Sequence, residues 1–291
     1  MFDHILFPTD GSDGATAVFD HVLDIAASHG AMVHILNVAD TAHDSVTRIG
    51  GEIVDVLERE GNDIVTETAA EAATRNVSTT TEVLQGSVPE TIIEYAERYD
   101  IDIVIMPTQG RTGIERYLLG SVTERVIRQS TVPVLSLHPE SERQRPYPYG
   151  NVLVPTDDSD CANDALELGI DIASAAEATL HALSVVDITS LGVDIHSVIE
   201  ADNLETQAER TVREAMTAAE RRDIDAVGAV EHDNSVSKAI RAYVDEHDID
   251  LIVIGTHGRT GIDRFLIGST TERIVRTADV PVIAVPTRDT D

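Results

Sequence analysis

Cysteine, lysine and long apolar runs are all but absent from this 291-residue chain. Cys161 is the single cysteine, so no disulfide forms within the chain, and a lone thiol reads as a small apolar side chain rather than as redox machinery. No apolar run approaches the roughly 18 residues that a membrane-crossing helix needs. The opening MFDHILFPTDGS sets Asp3 and His4 ahead of only a short apolar run, which is not the pattern of a secretory leader. The expectation is a soluble, cytoplasmic protein without redox chemistry. Lys238 is the only lysine, and the other 20 of the 21 basic residues are arginine.

Bases of any kind are scarce: 52 acids face 21 bases, for a formal net charge of −31. The acids are spread along both halves of the chain rather than gathered in a tail, which argues against an acidic arm built for a basic partner. In dilute buffer such a surface repels itself, whereas at molar salt the Debye length falls to about 3 Å and most of the penalty vanishes. A protein of a halophile's cytoplasm is the expectation. Duplex nucleic acid and anionic membranes are poor partners for this surface.

What the chain does have is a repeat. Pro8-Thr9-Asp10 returns as Pro155-Thr156-Asp157, 147 positions on, and Asp40 returns as Asp187 at the same spacing. From Gly86-Ser87 and Asn234-Ser235 the spacing is 148, and it holds through Gly110/Gly258, Gly120/Gly268 and Pro133-Val134/Pro281-Val282. So constant a register marks a duplicated domain and not a solenoid, whose units run about 20 to 50 residues. Domains are expected over 1–138 and 150–291, joined by a polar, proline-bearing linker over 139–149.

Within each half, short apolar runs alternate with helical patterns: DHILFP, VHILNV, TTTEVL, IDIVIM and VPVLSL, answered by NVLVP, LHALSV, DAVGAV, IDLIVIG and VPVIAV. Runs of this kind suit a parallel sheet covered by helices on both faces. The reading is α/β: two tandem, doubly wound, Rossmann-like domains, each with a five-stranded parallel sheet. Ligands of such sheets sit beyond the carboxyl ends of the strands. Both the PTD motifs and the loops after the fourth strands reach that edge.

Those loops are alike. Gly255-x2-Gly258-x9-Gly268-Ser269 follows an apolar strand and leads into STTERIVR, and PTQGRTGIERYLLGS precedes STTERIVR's counterpart in the first half. Glycines let a backbone approach an anion, and amides at a helix start point toward it. Arg259 and Arg264 lie within the second loop, where they either screen phosphate or stay solvated. Ser269-x-x-Glu272 and Ser121-x-x-Glu124 also read as capping boxes, which does not conflict with phosphate contact. No Gly-Lys-Ser/Thr of a Walker loop and no GxGxxG fingerprint is present. His257 has no histidine beside it and faces Gln109 in the other copy, so it is not expected to build a metal site. After the third strands, Gly86 and Asn234 are expected to form the same turn at positive φ, with Ser87 and Ser235 capping the next helix and Lys238 exposed or close to a ligand.

These motifs resemble the universal stress proteins, in the tandem form that carries two domains in one chain. The resemblance extends over all but the linker. It implies that the second half belongs to the ATP-binding members, with Gly255, His257, Gly258, Gly268, Ser269 and Thr270 around the phosphates, and Asp157 and Val185 at the adenine beside Pro155 and Thr156. In the first half it implies Asp10 and Val38 at the adenine and Gly110, Gly120 and Ser121 at the phosphates. Mg2+ or Mn2+ would arrive with the nucleotide and be held mainly by phosphate and water. Pro107 stands where the first glycine belongs, and proline fixes φ and lacks an N–H. The first half is therefore either a second nucleotide site or a scaffold. The resemblance further implies pairing of the two domains through their last strands, and allows assembly of two chains.

Three functions remain open at this level. A nucleotide-binding stress-response regulator leads, because the glycine pattern of the second half is complete. An ATP-hydrolysing or group-transferring enzyme is the second, although no Ser-His-Asp or paired-carboxylate spacing recurs near the loop. A scaffold without ligand is the third.

Overall fold

The computed structural model describes residues 1–40, 56–110, 119–139, 147–188, 195–258 and 267–287. The chain divides into two compact units, Met1–Glu142 and Arg143–Asp291. In the first unit the elements run β1 (His4–Pro8), α1 (Asp13–His29), β2 (Met32–Asp40), α2 (Val56–Thr74), β3 (Thr79–Gly86), α3 (Val88–Arg98), β4 (Ile103–Pro107), α4 (Ser121–Gln129) and β5 (Val134–Leu137). The second unit repeats them as β6 (Asn151–Pro155), α5 (Asp160–Ala176), β7 (Thr179–Asp187), α6 (Ile195–Glu220), β8 (Ala226–Asp233), α7 (Val236–Glu246), β9 (Leu251–Gly255), α8 (Ser269–Thr277) and β10 (Val282–Val285). Each unit is the expected doubly wound α/β domain, with strand order β3-β2-β1-β4-β5 in the first and β8-β7-β6-β9-β10 in the second. The pairs within each unit are parallel.

The chain reverses its direction of travel across the sheet between β1 and β4, and again between β6 and β9. At such a switch the loops leave on opposite faces and open a crevice at the strands' carboxyl ends. The strands that flank it are fully buried: Ile5, Leu6, Ile103, Val104 and Ile105 in one unit and Val152, Leu153, Leu251, Ile252 and Val253 in the other are inaccessible to solvent. Asp102 Oδ2 accepts the amides of Asp3 (2.7 Å) and His4 (2.8 Å), and Asp250 Oδ2 accepts those of Gly150 (2.8 Å) and Asn151 (3.0 Å), which ties the start of each central strand to its neighbour.

The edge strands depart from the sequence reading. β3 and β8 are half exposed, with Val227 41% accessible, because a strand at the rim of the sheet is covered on one side only. The turn after them departs as well. Strand pairing sets Asp40 against Gly86 and Asp187 against Asp233, so the spacing of 147 persists to the strand ends and Asn234 is the added residue. Gly86 has φ +157°, while neither Asp233 nor Asn234 has a positive φ. Asp233 instead builds the turn itself, its Oδ1 accepting the Ser235 amide at 3.0 Å and its Oδ2 pairing with Lys238 at 3.2 Å. Ser87 and Ser235 occupy the cap positions, but their hydroxyls bond Glu90 and Ser237 rather than the helix amides. Among the described residues no helix is long and apolar enough to cross a membrane.

Candidate functional site

The turn after each first strand is built the same way twice. Asp10 Oδ1 accepts the Ser12 amide at 3.0 Å and Asp157 Oδ1 accepts the Ser159 amide at 3.1 Å, while Thr9 and Thr156 hydroxyls accept the amides of Gly11 and Asp158. Both middle residues are left-handed, Gly11 at φ 70° and Asp158 at φ 66°, a conformation that glycine and aspartate tolerate best. Ser12 and Ser159 then cap α1 and α5 through the amides of Ala15 and Ala162. With one carboxylate oxygen held in the turn, the other is aimed at the loop after the fourth strand. A Cβ built on Gly110 would stand 2.8 Å from Asp10 Oδ2, and one on Gly258 would stand 2.9 Å from Asp157 Oδ2. The second glycine of the loop motif is thus a close approach to the aspartate of the other motif.

The loop's far end is closed by backbone bonds. Gly268 donates its amide to the Thr256 carbonyl at 2.7 Å, and Gly120 donates to Thr108 at 2.8 Å. Thr271 Oγ1 donates to the Gly255 carbonyl at 2.7 Å, as Thr123 Oγ1 does to that of Pro107 at 2.9 Å. The strand exits match too, with Thr256 donating to Val285 and Thr108 to Leu137. Pro107 therefore leaves the frame of the first loop unchanged.

The capping boxes do not form. Gly268 and Gly120, both extended, occupy the cap positions, and Ser269 and Ser121 are the first helical residues. The reason is the closing bond just described, which places the glycine at the helix mouth. Since Glu272 bonds back to Gly268, the amides of residues 269–271 have no carbonyl of their own helix to meet. They, with the positive end of the helix dipole, have the donors and the field that suit an anion.

Around these elements the second unit encloses a cavity of about 340 Å3. Its wall holds Pro155, Thr156, Asp157 and Val185 on one side and Gly255, His257, Gly258, Gly268, Ser269 and Thr270 on the other. The first unit has a smaller one, about 240 Å3, lined among others by Asp10, Val38, Gly110, Gly120 and Ser121. The structure thus gathers the residues singled out in sequence into one cavity per unit. It adds an apolar wall that sequence reasoning passed over: Val236 and Ile240 of α7, Leu183 of β7 and Ile254 of β9, with Val88, Ile92, Leu36 and Met106 as counterparts. The signal was present as a pair of apolar residues four apart opening α3 and α7, the spacing of one helical face. Lys238 does not line the cavity, and Arg259 and Arg264 lie outside the described residues.

His257 is joined to a short polar chain. Its Nδ1 lies 2.9 Å from Thr256 Oγ1, which lies 3.6 Å from Cys161 Sγ, and the Cys161 thiol donates to the Val285 carbonyl at 3.1 Å. Nδ1 and the Thr256 hydroxyl share one hydrogen bond, whose direction follows the tautomer of the ring. Nε2 is buried and has no hydrogen-bond partner. In the first unit the imidazole on the equivalent hydroxyl comes from elsewhere, His138 Nδ1 lying 2.9 Å from Thr108 Oγ1. Among the described residues no group of three or more His, Cys, Asp or Glu is arranged to hold a metal ion.

Comparison with known proteins agrees with this architecture. The Universal stress protein family profile matches residues 1–138 and again 148–286. A universal stress protein of Methanocaldococcus jannaschii is 36% identical over 138 residues, which are 46% of this chain and 81% of its own. One of Mycobacterium tuberculosis is 28% identical over 220 residues, 74% of this chain and 71% of its own. The crystal structure of a universal stress protein from Archaeoglobus fulgidus aligns over 99% of this chain and 98% of its own with a TM-score of 0.77, at 22% identity, which speaks to the fold alone. The chain belongs to the universal stress protein family and carries two of its domains in tandem.

Proposed function

We propose that the second unit binds ATP in its cavity and that the protein is a nucleotide-dependent regulator of a stress response, acting through occupancy rather than turnover. The observation that carries the reading is the juxtaposition, in one cavity, of the Asp157–Val185 edge with the amides and hydroxyls that open α8. The first suits a purine, offering a carboxylate and a strand backbone beside the apolar wall of Leu183 and Ile240. The second suits phosphate: the unpaired opening amides of α8 and the Ser269 and Thr270 hydroxyls present donors. A divalent cation would come with the phosphates, which supply the oxygen ligands that the described side chains do not.

Calorimetric titration with ATP in molar KCl tests the reading, alongside mass spectrometry of whatever small molecule is released on denaturing the purified protein. One ATP per second unit, with a raised unfolding temperature, is expected. No heat and no stabilisation would remove the proposal. Sustained turnover of ATP that Asp157→Ala abolishes would replace it with an enzymatic reading.

A further inference from the structure

We infer that the buried histidine–tyrosine anchor of α3 is an acid-released latch, and that it lets go at a higher pH than its counterpart under α7. In the first unit His34 of β2 lies between two partners: its Nε2 is 3.0 Å from His4 Nδ1, and its Nδ1 is 3.1 Å from the Tyr95 hydroxyl. His34 and Tyr95 are buried, and Tyr99 packs on Tyr95 with ring centres 4.3 Å apart. Val88, Ile92 and Tyr95 share one face of α3, the first two in the wall of the cavity and the third on the anchor. Loosening the anchor therefore loosens that wall, whatever the cavity holds.

The second unit keeps the pair and changes the neighbour. His181 Nδ1 is 3.1 Å from the Tyr243 hydroxyl, and its Nε2 faces Asn151 Oδ1 at 3.4 Å, Asn151 opening β6 as His4 opens β1. The Asn151 amide is oriented by its own bond to the Asp248 carbonyl, which leaves the oxygen toward the ring. A charged His181 thus donates from both nitrogens, to Oδ1 and to the tyrosine oxygen, and keeps both bonds. His4 and His34 cannot both be charged and stay bonded. Whichever tautomers hold, a bond between two ring nitrogens needs one of them bare, so the pair has room for a single charge.

The other titratable groups around the anchors are Tyr99 and Glu82, which acts on Tyr95, in the first unit, and His247 and Glu231, which acts on Tyr243, in the second. Asp102 and Asp250 hold the backbone amides of His4 and Asn151. Burial first, and then the neighbouring imidazole, hold both His34 and His181 below 6.5. The stabilisation is whole above that value and is lost as pH falls, each refused proton favouring the open state by up to about tenfold per pH unit. His247 is exposed, with its ring centre 5.8 Å from that of His181, so molar salt screens that pair. His4 and His34 are in direct contact and gain no such relief.

Hydrogen exchange of the intact protein in molar KCl, corrected for the intrinsic effect of pH on amide exchange, tests the latch. As pH is lowered, amides 95–99 should lose protection at least about 0.5 pH unit above the point where amides 243–247 do. His4→Asn, which supplies the second unit's neighbour, should bring the two helices together, and Asn151→His should move α7 toward α3. Imidazole NMR of the wild-type protein needs no substitution: His4 and His34 together should take up a single proton before α3 opens. Equal pH dependence of the two helices, an unchanged α3 in His4→Asn, or separate uptake of two protons by His4 and His34 with α3 still protected would overturn the inference.

Discussion

A Cβ built on Gly255 would stand 2.8 Å from the carbonyl oxygen of Cys161 and 2.9 Å from its Sγ, so the end of β9 and the first turn of α5 meet with no room for a side chain between them. The first unit is built differently at this place. There the glycine is Gly14, at the position of Cys161, where a Cβ would stand 2.8 Å from the Gln109 carbonyl, and the strand ends in Pro107. The carbonyls of Pro107 and Gly255 are both bound by the threonine that opens the following helix.

The close approach of Gly255 to Cys161 predicts non-additive energetics. Gly255→Ala overpacks the contact and should cost about 1–3 kcal/mol. Cys161→Gly alone loses a packed side chain and loosens the start of α5. Together they should cost less than their sum, by about 0.5 kcal/mol or more, since the Sγ clash is gone although the carbonyl remains. Urea melts of the four proteins in molar KCl give the coupling. Strict additivity would show that the two positions do not share space.

Gly258 faces the flexible end of Asp157 and not backbone, which separates binding from folding. Gly258→Ala can be accommodated if the Asp157 carboxylate swings away, so the unfolding midpoint should move little while ATP affinity falls tenfold or more. Asp157→Asn keeps an oxygen for the Ser159 amide and hydroxyl, 3.1 and 2.6 Å away, whereas Asp157→Ala loses both bonds. The asparagine variant should weaken nucleotide alone. The alanine variant should also destabilise the start of α5 by about 0.5–2 kcal/mol. Equal thermal losses in the two would contradict the turn's assigned role.

How much of this was readable beforehand follows from distance along the chain. The strands and the duplication were legible because apolar runs and a constant register are local or periodic signals. The glycine loop was legible because its residues are near neighbours in sequence. The Gly255–Cys161 contact joins residues far apart, and nothing in either local stretch announces it. Ser269 read as a cap because a capping box is a four-residue pattern, yet the Gly268–Thr256 bond, which comes from the loop's return to its own strand, fixes the helix start one residue earlier. The extra residue of the second half was placed one position too early in its effect, since Asp233 rather than Asn234 answers Gly86 and only strand pairing reveals it.

Acid sensitivity should trace in part to His21. Burial pushes its pKa down from 6.5 to about 4, against a smaller upward pull from Asp24. Between those two values the unfolded chain holds the proton that the folded one refuses, so stability rises with pH across the window. The contribution is whole above pH 6.5 and is lost as pH falls through about 4. His21→Gln should therefore flatten the unfolding midpoint against pH between about 6.5 and 4, leaving the slope above pH 7 unchanged. Parallel curves for the two proteins would show that His21 keeps its proton on folding.

Salt should stabilise this protein even though salt weakens its visible ion pairs. Arg75 sits between Asp20 and Asp24 at 2.6 and 2.7 Å, and Arg222 likewise spans Glu167 and Asp171, all of them at the surface. Exposed pairs of this kind contribute about 0–1 kcal/mol each, and screening removes part of that. Against them stands the repulsion within a chain of 52 acids and 21 bases, whose formal net charge is −31. Raising KCl from 0.1 to 1 M shortens the Debye length from about 10 to about 3 Å, which screens the longer-range repulsion more completely than a contact pair. Unfolding temperature should climb steeply over that range and then level off. A monotonic fall with KCl would mean that the paired arginines, and not the excess of acids, set the electrostatic balance of the fold.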